Sequence, residues 1–150
     1  MSVKVFIDGS SGTTGLRIAD RLAARPEIEL LSISAEGRKD VNERAKVINS
    51  ADLAFLCLPD AAVVSDTVEK LKPLLRPGQI IVDTSTIKYQ TALRLQKELA
   101  EMGVSFLDAP ISGLESRAKD GTLTIIVGGD EEVFRTVLPY FELMGKNILY

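Results

Sequence analysis

Glycines at positions 9, 12 and 15 sit in Asp8-Gly9-Ser10-Ser11-Gly12-Thr13-Thr14-Gly15, directly after a short apolar run and directly before a segment of helical period. A G-x-x-G-x-x-G turn between a strand and a helix lets the backbone adopt conformations and approach distances that a Cβ forbids. It also aims the first N–H groups of the helix at an anion. Ser10, Ser11, Thr13 and Thr14 add hydroxyl donors, so the chemistry suits a pyrophosphate. The triplet alone also fits a plain tight turn. Its place at the first strand–helix junction of an alternating chain, where ligand crevices of such folds open, favours phosphate.

A dinucleotide with that pyrophosphate would be told apart at the end of the second strand. An acidic residue there suits the ribose hydroxyls of NAD, and basic residues suit the 2′-phosphate of NADP. The segment reads Ser34-Ala35-Glu36-Gly37-Arg38-Lys39. Arg38 and Lys39 can pair with a phosphate and Ser34 can donate to it. NADP is expected; Glu36 leaves NAD open, and a solvated surface loop is the plain alternative.

Other chemistries have little to draw on. The chain has no histidine and a single cysteine, Cys57, which leaves no histidine base, disulfide framework or common zinc site. Cys57, between Leu56 and Leu58, reads as a small core residue rather than a nucleophile. Lys88 and Tyr89 could mimic a proton relay, but a helix start favours a surface role. The net charge of -3 and the lack of a basic stripe argue against nucleic acid. No apolar run is long enough for a membrane span, and the chain enters a strand at once, so a cytoplasmic protein is expected.

The elements that must position these residues follow from periodicity. Short, nearly continuous apolar runs at Val3–Asp8, Ile28–Ser34, Leu53–Leu58, Gln79–Asp83, Ser105–Asp108 and Thr122–Val127 read as strands covered on both faces. Helical period marks Thr13–Ala24, Ala61–Leu71, Tyr89–Met102 and Glu131–Met144, with Gly128-Gly129 turning into an N-cap at Asp130. The order β-α-β-α-β-α-β-α-β with an irregular β-α-β tail predicts an α/β, Rossmann-type doubly wound fold. Its sheet is mostly parallel, with helices on both faces. At 150 residues, 45% hydrophobic and 26% charged, residues 1–150 are expected to form one soluble domain.

Two resemblances follow from particular motifs. Lys4 to Leu16 with the glycine turn, Ile28 to Ile33, Arg38-Lys39-Asp40 and Ala51-Asp52 through Cys57-Leu58-Pro59-Asp60 resemble N-acetyl-gamma-glutamyl-phosphate reductase. Ile81 to Thr86, Phe106 to Gly113, Asp120 to Leu123, Val127 to Asp130 and Met144 to Asn147 resemble the 3-hydroxyisobutyrate and 6-phosphogluconate dehydrogenase group. Together they imply a recombined or laboratory-built chimera joined near residues 59–62. The second resemblance implies a substrate carboxylate near Ser112 and backbone N–H groups. Leu114 stands where that family has a further glycine.

In the dehydrogenase group the proton-moving lysine lies in a later helical domain, and in the reductases a cysteine–histidine pair does. Both fall outside the resembling segments, so the expectation is an NADP(H)-binding domain without turnover and without catalytic residues. Pyrophosphate would lie on Gly9 to Gly15, the 2′-phosphate near Ser34, Arg38 and Lys39, and the nicotinamide ribose near Leu58, Pro59 and Ser85. An oxidoreductase of the hydroxyacid type and a folded scaffold without ligand are the alternatives. A monomer or weak homodimer is expected, since Ile148-Leu149-Tyr150 and the last helix carry apolar surface.

Overall fold

Val3–Asp8 (β1), Thr13–Ala23 (α1), Ile28–Leu31 (β2), Val41–Ser50 (α2), Leu53–Leu56 (β3), Ala61–Leu71 (α3), Ile80–Asp83 (β4), Tyr89–Ala100 (α4) and Ser105–Asp108 (β5) alternate along the chain in a computed structural model. It describes residues 2–9 and 13–150. Ser10, Ser11 and Gly12, and the side chains of Thr13, Thr14 and Leu16, lie outside the described residues. The five strands form one parallel sheet in the order β2-β1-β3-β4-β5.

Strand residues alternate between two faces that are both covered, which is why the runs are nearly continuously apolar. Val5, Ile7, Phe55, Val82 and Leu107 meet Ile18 and Leu22 of α1, with Val137 and Phe141 of the last helix. Phe55 and Phe141 pack edge to face at 6.3 Å. Phe6, Ala54, Leu56, Ile81 and Phe106 point the other way, onto Ile48 of α2, Val64 and Val68 of α3, and Leu95 and Leu99 of α4. This is the expected doubly wound α/β architecture.

The tail continues through Ile111–Ser112 (β6), Leu114–Asp120 (α5), Leu123–Ile126 (β7), Glu131–Met144 (α6) and Gly145–Leu149 (β8). β6 pairs antiparallel with β7, and β7 parallel with β8. A bridge between Asp108 and Gly128, with bonds of 3.0 and 2.8 Å, links this small sheet to β5. The turn at α5, only seven residues long, was too short to show a period in the sequence. Arg21 of α1 holds its end, donating to the Ala118 and Lys119 carbonyls at 3.3 and 2.5 Å.

Two strand ends differ by more than one residue from the sequence reading. β2 stops at Leu31 rather than Ser34, because its last partner on β1 is Phe6. Ser32 to Ser34 then leave the sheet for the loop that feeds α2. β3 stops at Leu56 rather than Leu58, although the Cys57 N–H still donates to the Asp8 carbonyl at 2.8 Å. Asp40, Asp60 and Asp130 cap α2, α3 and α6 by accepting from the first free N–H groups of each helix. Among the described residues no helix is long and apolar enough to cross a membrane.

Candidate functional site

From β1 the chain passes through α1 to β2 on one side, then through α2 to β3 on the other. Such a switch of direction leaves a crevice at the carboxyl ends of the two central strands, where ligands of open α/β sheets bind. Gly9 stands at that point with φ +95°, and a Cβ on it would lie 2.1 Å from the Cys57 carbonyl oxygen. Only glycine lets the turn leave β1 while lying against the end of β3. Thr13 begins α1, and Gly15 is buried in its first turn. The readings of Ser10, Ser11 and Gly12, and of the Thr13 and Thr14 hydroxyls, fall outside the described residues.

The loop after β2 is held by Ser34, whose Oγ accepts from the Gly37 N–H at 3.0 Å while its carbonyl accepts from the Arg38 N–H at 3.1 Å. That leaves the Ser34 hydroxyl proton to donate outward. Gly37 to Lys39 form one turn of 3-10 helix. Arg38 and Lys39 are exposed, as is Glu36, and among the described residues neither cation joins an ion pair. Beside this loop a cavity of about 170 Å³ is lined by Phe6, Ala19, Leu31, Ser32, Ile33 and Arg38.

At the next strand ends, Ser85 Oγ accepts from the Leu58 N–H at 3.0 Å, and Thr84 Oγ1 donates to the Leu56 carbonyl at 2.7 Å. The structure thus joins Leu58 to Ser85 and leaves Pro59 exposed beside them. Ser85 itself is only 5% exposed. Its first role is to hold the end of β3.

Two features escaped the sequence reading, and both are carboxylates read only as strand ends. Asp8 accepts from the Arg44 guanidinium through both oxygens, the Nε–Oδ1 bond being 3.2 Å, and Arg44 also reaches Thr67 Oγ1 at 3.4 Å. Asp8, Leu56, Asp83 and Asp108 occupy one row across β1, β3, β4 and β5. Asp83 is fully buried, with Oδ1 accepting from the Ser85 N–H at 2.9 Å. Its Oδ2 and Asp108 Oδ1 have no hydrogen-bond partner among the described residues. The only sequence signal was an acid closing each otherwise apolar strand.

Burial pushes the Asp83 carboxyl from 3.8 up to about 6, against the lowering effect of its Ser85 bonds. Burial does the same to Asp108, aided by the charge of Asp83, again to about 6. Burial also raises the Cys57 thiol; a bond with Thr84 opposes this, and the Asp83 and Asp8 charges reinforce it. A thiol held protonated is a poor nucleophile. Ser112 is exposed, and Leu114, at the expected glycine position, has φ +60° and is 85% exposed. Among the described residues no group of three or more His, Cys, Asp or Glu is placed to hold a metal ion.

Comparison with known proteins gives both resemblances. The sequence profile of the NAD binding domain of 6-phosphogluconate dehydrogenase matches residues 17–150. The 2-hydroxy-3-oxopropionate reductase of Escherichia coli (strain K12) is 41% identical over 124 residues, 80% of this chain and 41% of that protein. The N-acetyl-gamma-glutamyl-phosphate reductase of Chelativorans sp. (strain BNC1) is 60% identical over 86 residues, 57% of this chain and 26% of that protein. The two matches therefore share part of the chain. The solved structure of Psf3 in complex with NADP+ and 2-OPP superposes with a TM-score of 0.82 at 27% identity, over 99% of this chain and 56% of that one. The chain thus spans less than half the length of these curated relatives and just over half of the solved one.

Proposed function

Because the chain belongs to the family of the NAD binding domain of 6-phosphogluconate dehydrogenase, we propose that it is a dinucleotide-binding domain that takes NADP(H) in preference to NAD(H). The observation that carries this reading is Gly9, whose missing Cβ lets the end of β1 pass against the Cys57 carbonyl at the switch point. The pyrophosphate lies on Gly9, Ser10, Ser11, Gly12, Thr13, Thr14 and Gly15. The 2′-phosphate is held by Ser34, Arg38 and Lys39, the adenine by the cavity beside β2, and the nicotinamide ribose by Leu58, Pro59 and the Ser85-anchored end of β3. Arg38 and Lys39, two exposed cations side by side, favour the extra phosphate, while of the two exposed acids in that loop, Glu36 and Asp40, the second is engaged in capping α2, and the solved relative Psf3 holds NADP+.

The test is a titration with NADPH and NADH on the parent and on the Arg38→Ala/Lys39→Ala variant. NADPH is expected to win in the parent alone, and to raise the melting temperature. At a hundredfold excess over Kd the gain in stability is about 2.7 kcal/mol. A parent that shows no such rise with either nucleotide at millimolar concentration is a scaffold without ligand. Equal affinity for both in the parent removes the selector.

The 41% identity to a reductase over 80% of the chain favours a second reading, an NAD(P)-dependent oxidoreductase of the hydroxyacid type. It predicts steady NADPH consumption with 3-hydroxy or semialdehyde substrates. Resemblance to two families is read as a recombined origin with the join near residues 59–62, where Pro59 and Asp60 are exposed and either parent would supply a strand end and the following helix; the dehydrogenase profile itself runs across this point. Ile126 and Leu149, exposed on the last strands, and Tyr150 just after them suit a monomer or a weak homodimer.

A further inference from the structure

A carboxylate is an odd neighbour for a phosphate-binding turn. Asp8 is the last residue of β1 and immediately precedes Gly9, and its side chain is only 9% exposed. An unpaired charge there would be poorly screened by water and would repel any anion held by the residues that follow it. Arg44, with its side chain 18% exposed, takes both Asp8 oxygens and braces itself on Thr67 of α3. A planar guanidinium suits this two-point contact in a way an ammonium would not. Arg44 is in the first turn of α2, where its own N–H donates to Asp40, the residue after Arg38 and Lys39.

Building on the dinucleotide reading, we propose that Arg44 is a positioning residue for the phosphates: it cancels the charge of Asp8, the residue before Gly9. It acts through Asp8 and touches no ligand itself. The alternative role is a plain strut tying β1 to α2 and α3. The two differ in what happens when both partners are removed. Charge compensation is restored by deleting the acid along with the base, whereas a strut is lost in either case.

The experiment measures the Kd for NADPH by fluorescence titration, and ligand-free melting, for the parent, Arg44→Met, Asp8→Asn and the double variant. Arg44→Met is expected to weaken NADPH by about tenfold or more, equivalent to about 1.4 kcal/mol. Asp8→Asn, which leaves the guanidinium without its acid, is expected to bind as tightly as the parent or more so. The double variant is expected to return to within about threefold of the parent even where its melting temperature stays low, since the unpaired buried charge is what opposes the ligand. A double variant as weak as Arg44→Met overturns the proposal in favour of the strut. If Arg44→Met does not fold, Asp8→Asn decides, and a tenfold weaker NADPH complex in that variant overturns it. A parent that binds no NADPH removes both the cofactor reading and this inference; a parent that binds, with either adverse pattern, removes this inference alone.

Discussion

Asp83→Asn should make the protein more stable at pH 8 and change it little at pH 4.5. Asp83 is fully buried, one of its oxygens has no partner, and Asp108 stands beside it in register on β5. Both carboxyls are raised to about 6. A raised acid binds its proton more tightly in the folded state than in the unfolded one. Its contribution to stability is therefore complete below pH 4 or so and is lost as the pH rises through about 6. For Asp83 the rise from 3.8 to about 6 corresponds to about 3 kcal/mol as an upper bound. The two acids titrate as a pair, so a second such amount is not added for Asp108.

Asparagine keeps the oxygen that accepts from the Ser85 N–H, removes the buried charge, and offers an amide donor on the side of Asp108. A net gain of about 1–2 kcal/mol at pH 8 remains after the cost of burying the amide. In a chain of this length that raises the melting temperature by roughly 3–6 °C. The assay is thermal unfolding of parent and variant at half-unit steps from pH 4 to 8, read as the difference between them. That difference should grow between pH 4 and 6 and then level off. A variant that is destabilised at pH 8, or a difference that does not vary with pH, refutes the buried-pair reasoning.

Gly9→Ala places a Cβ against the Cys57 carbonyl at a positive φ and should cost at least about 2 kcal/mol; urea unfolding checks it, and an unchanged midpoint contradicts the close approach. Leu114→Gly should go the other way. Leu114 holds φ +60° while 85% exposed, so glycine relieves the backbone and gives up little packing. A gain of roughly 0.5–1 kcal/mol is expected after the greater freedom of glycine in the unfolded chain is counted. A melting temperature that falls would show that the exposed leucine packs on something in solution.

The parallel sheet was legible because its strands are largely buried on both faces and so are nearly continuously apolar, and Gly9 because its positive φ at the end of a strand favours glycine. Asp130 was legible as a cap for the same local reason. What the sequence hid depends on register. Nothing near Asp83 in the chain says that Asp108 will stand at the same level one strand away, and nothing near Asp8 points to Arg44, thirty-six residues on. Helix α5 was hidden differently, because seven residues cannot display a period and its end is held by Arg21 from α1. Leu114 shows the limit of reasoning by residue type. The left-handed backbone persists there without the glycine that would make it easy.

Charge is ordered along the carboxyl edge of the sheet, and that order bears on how a dinucleotide would lie. Arg38 and Lys39 stand beyond β2, Asp8 at β1 is matched by Arg44, and Asp83 and Asp108 close β4 and β5. A ligand placed as proposed would set its 2′-phosphate over the cations, its pyrophosphate over the neutralised centre, and its least anionic end toward the two raised acids. The reverse orientation would bring the 2′-phosphate toward carboxylates that have no cation beside them among the described residues. At the roughly 20 effective dielectric typical of such sites, each like-charge approach within several ångström costs on the order of 2 kcal/mol. For a ligand so placed, the edge would therefore select an orientation before any specific hydrogen bond is made. That preference should weaken below pH 6, where Asp83 and Asp108 take up protons.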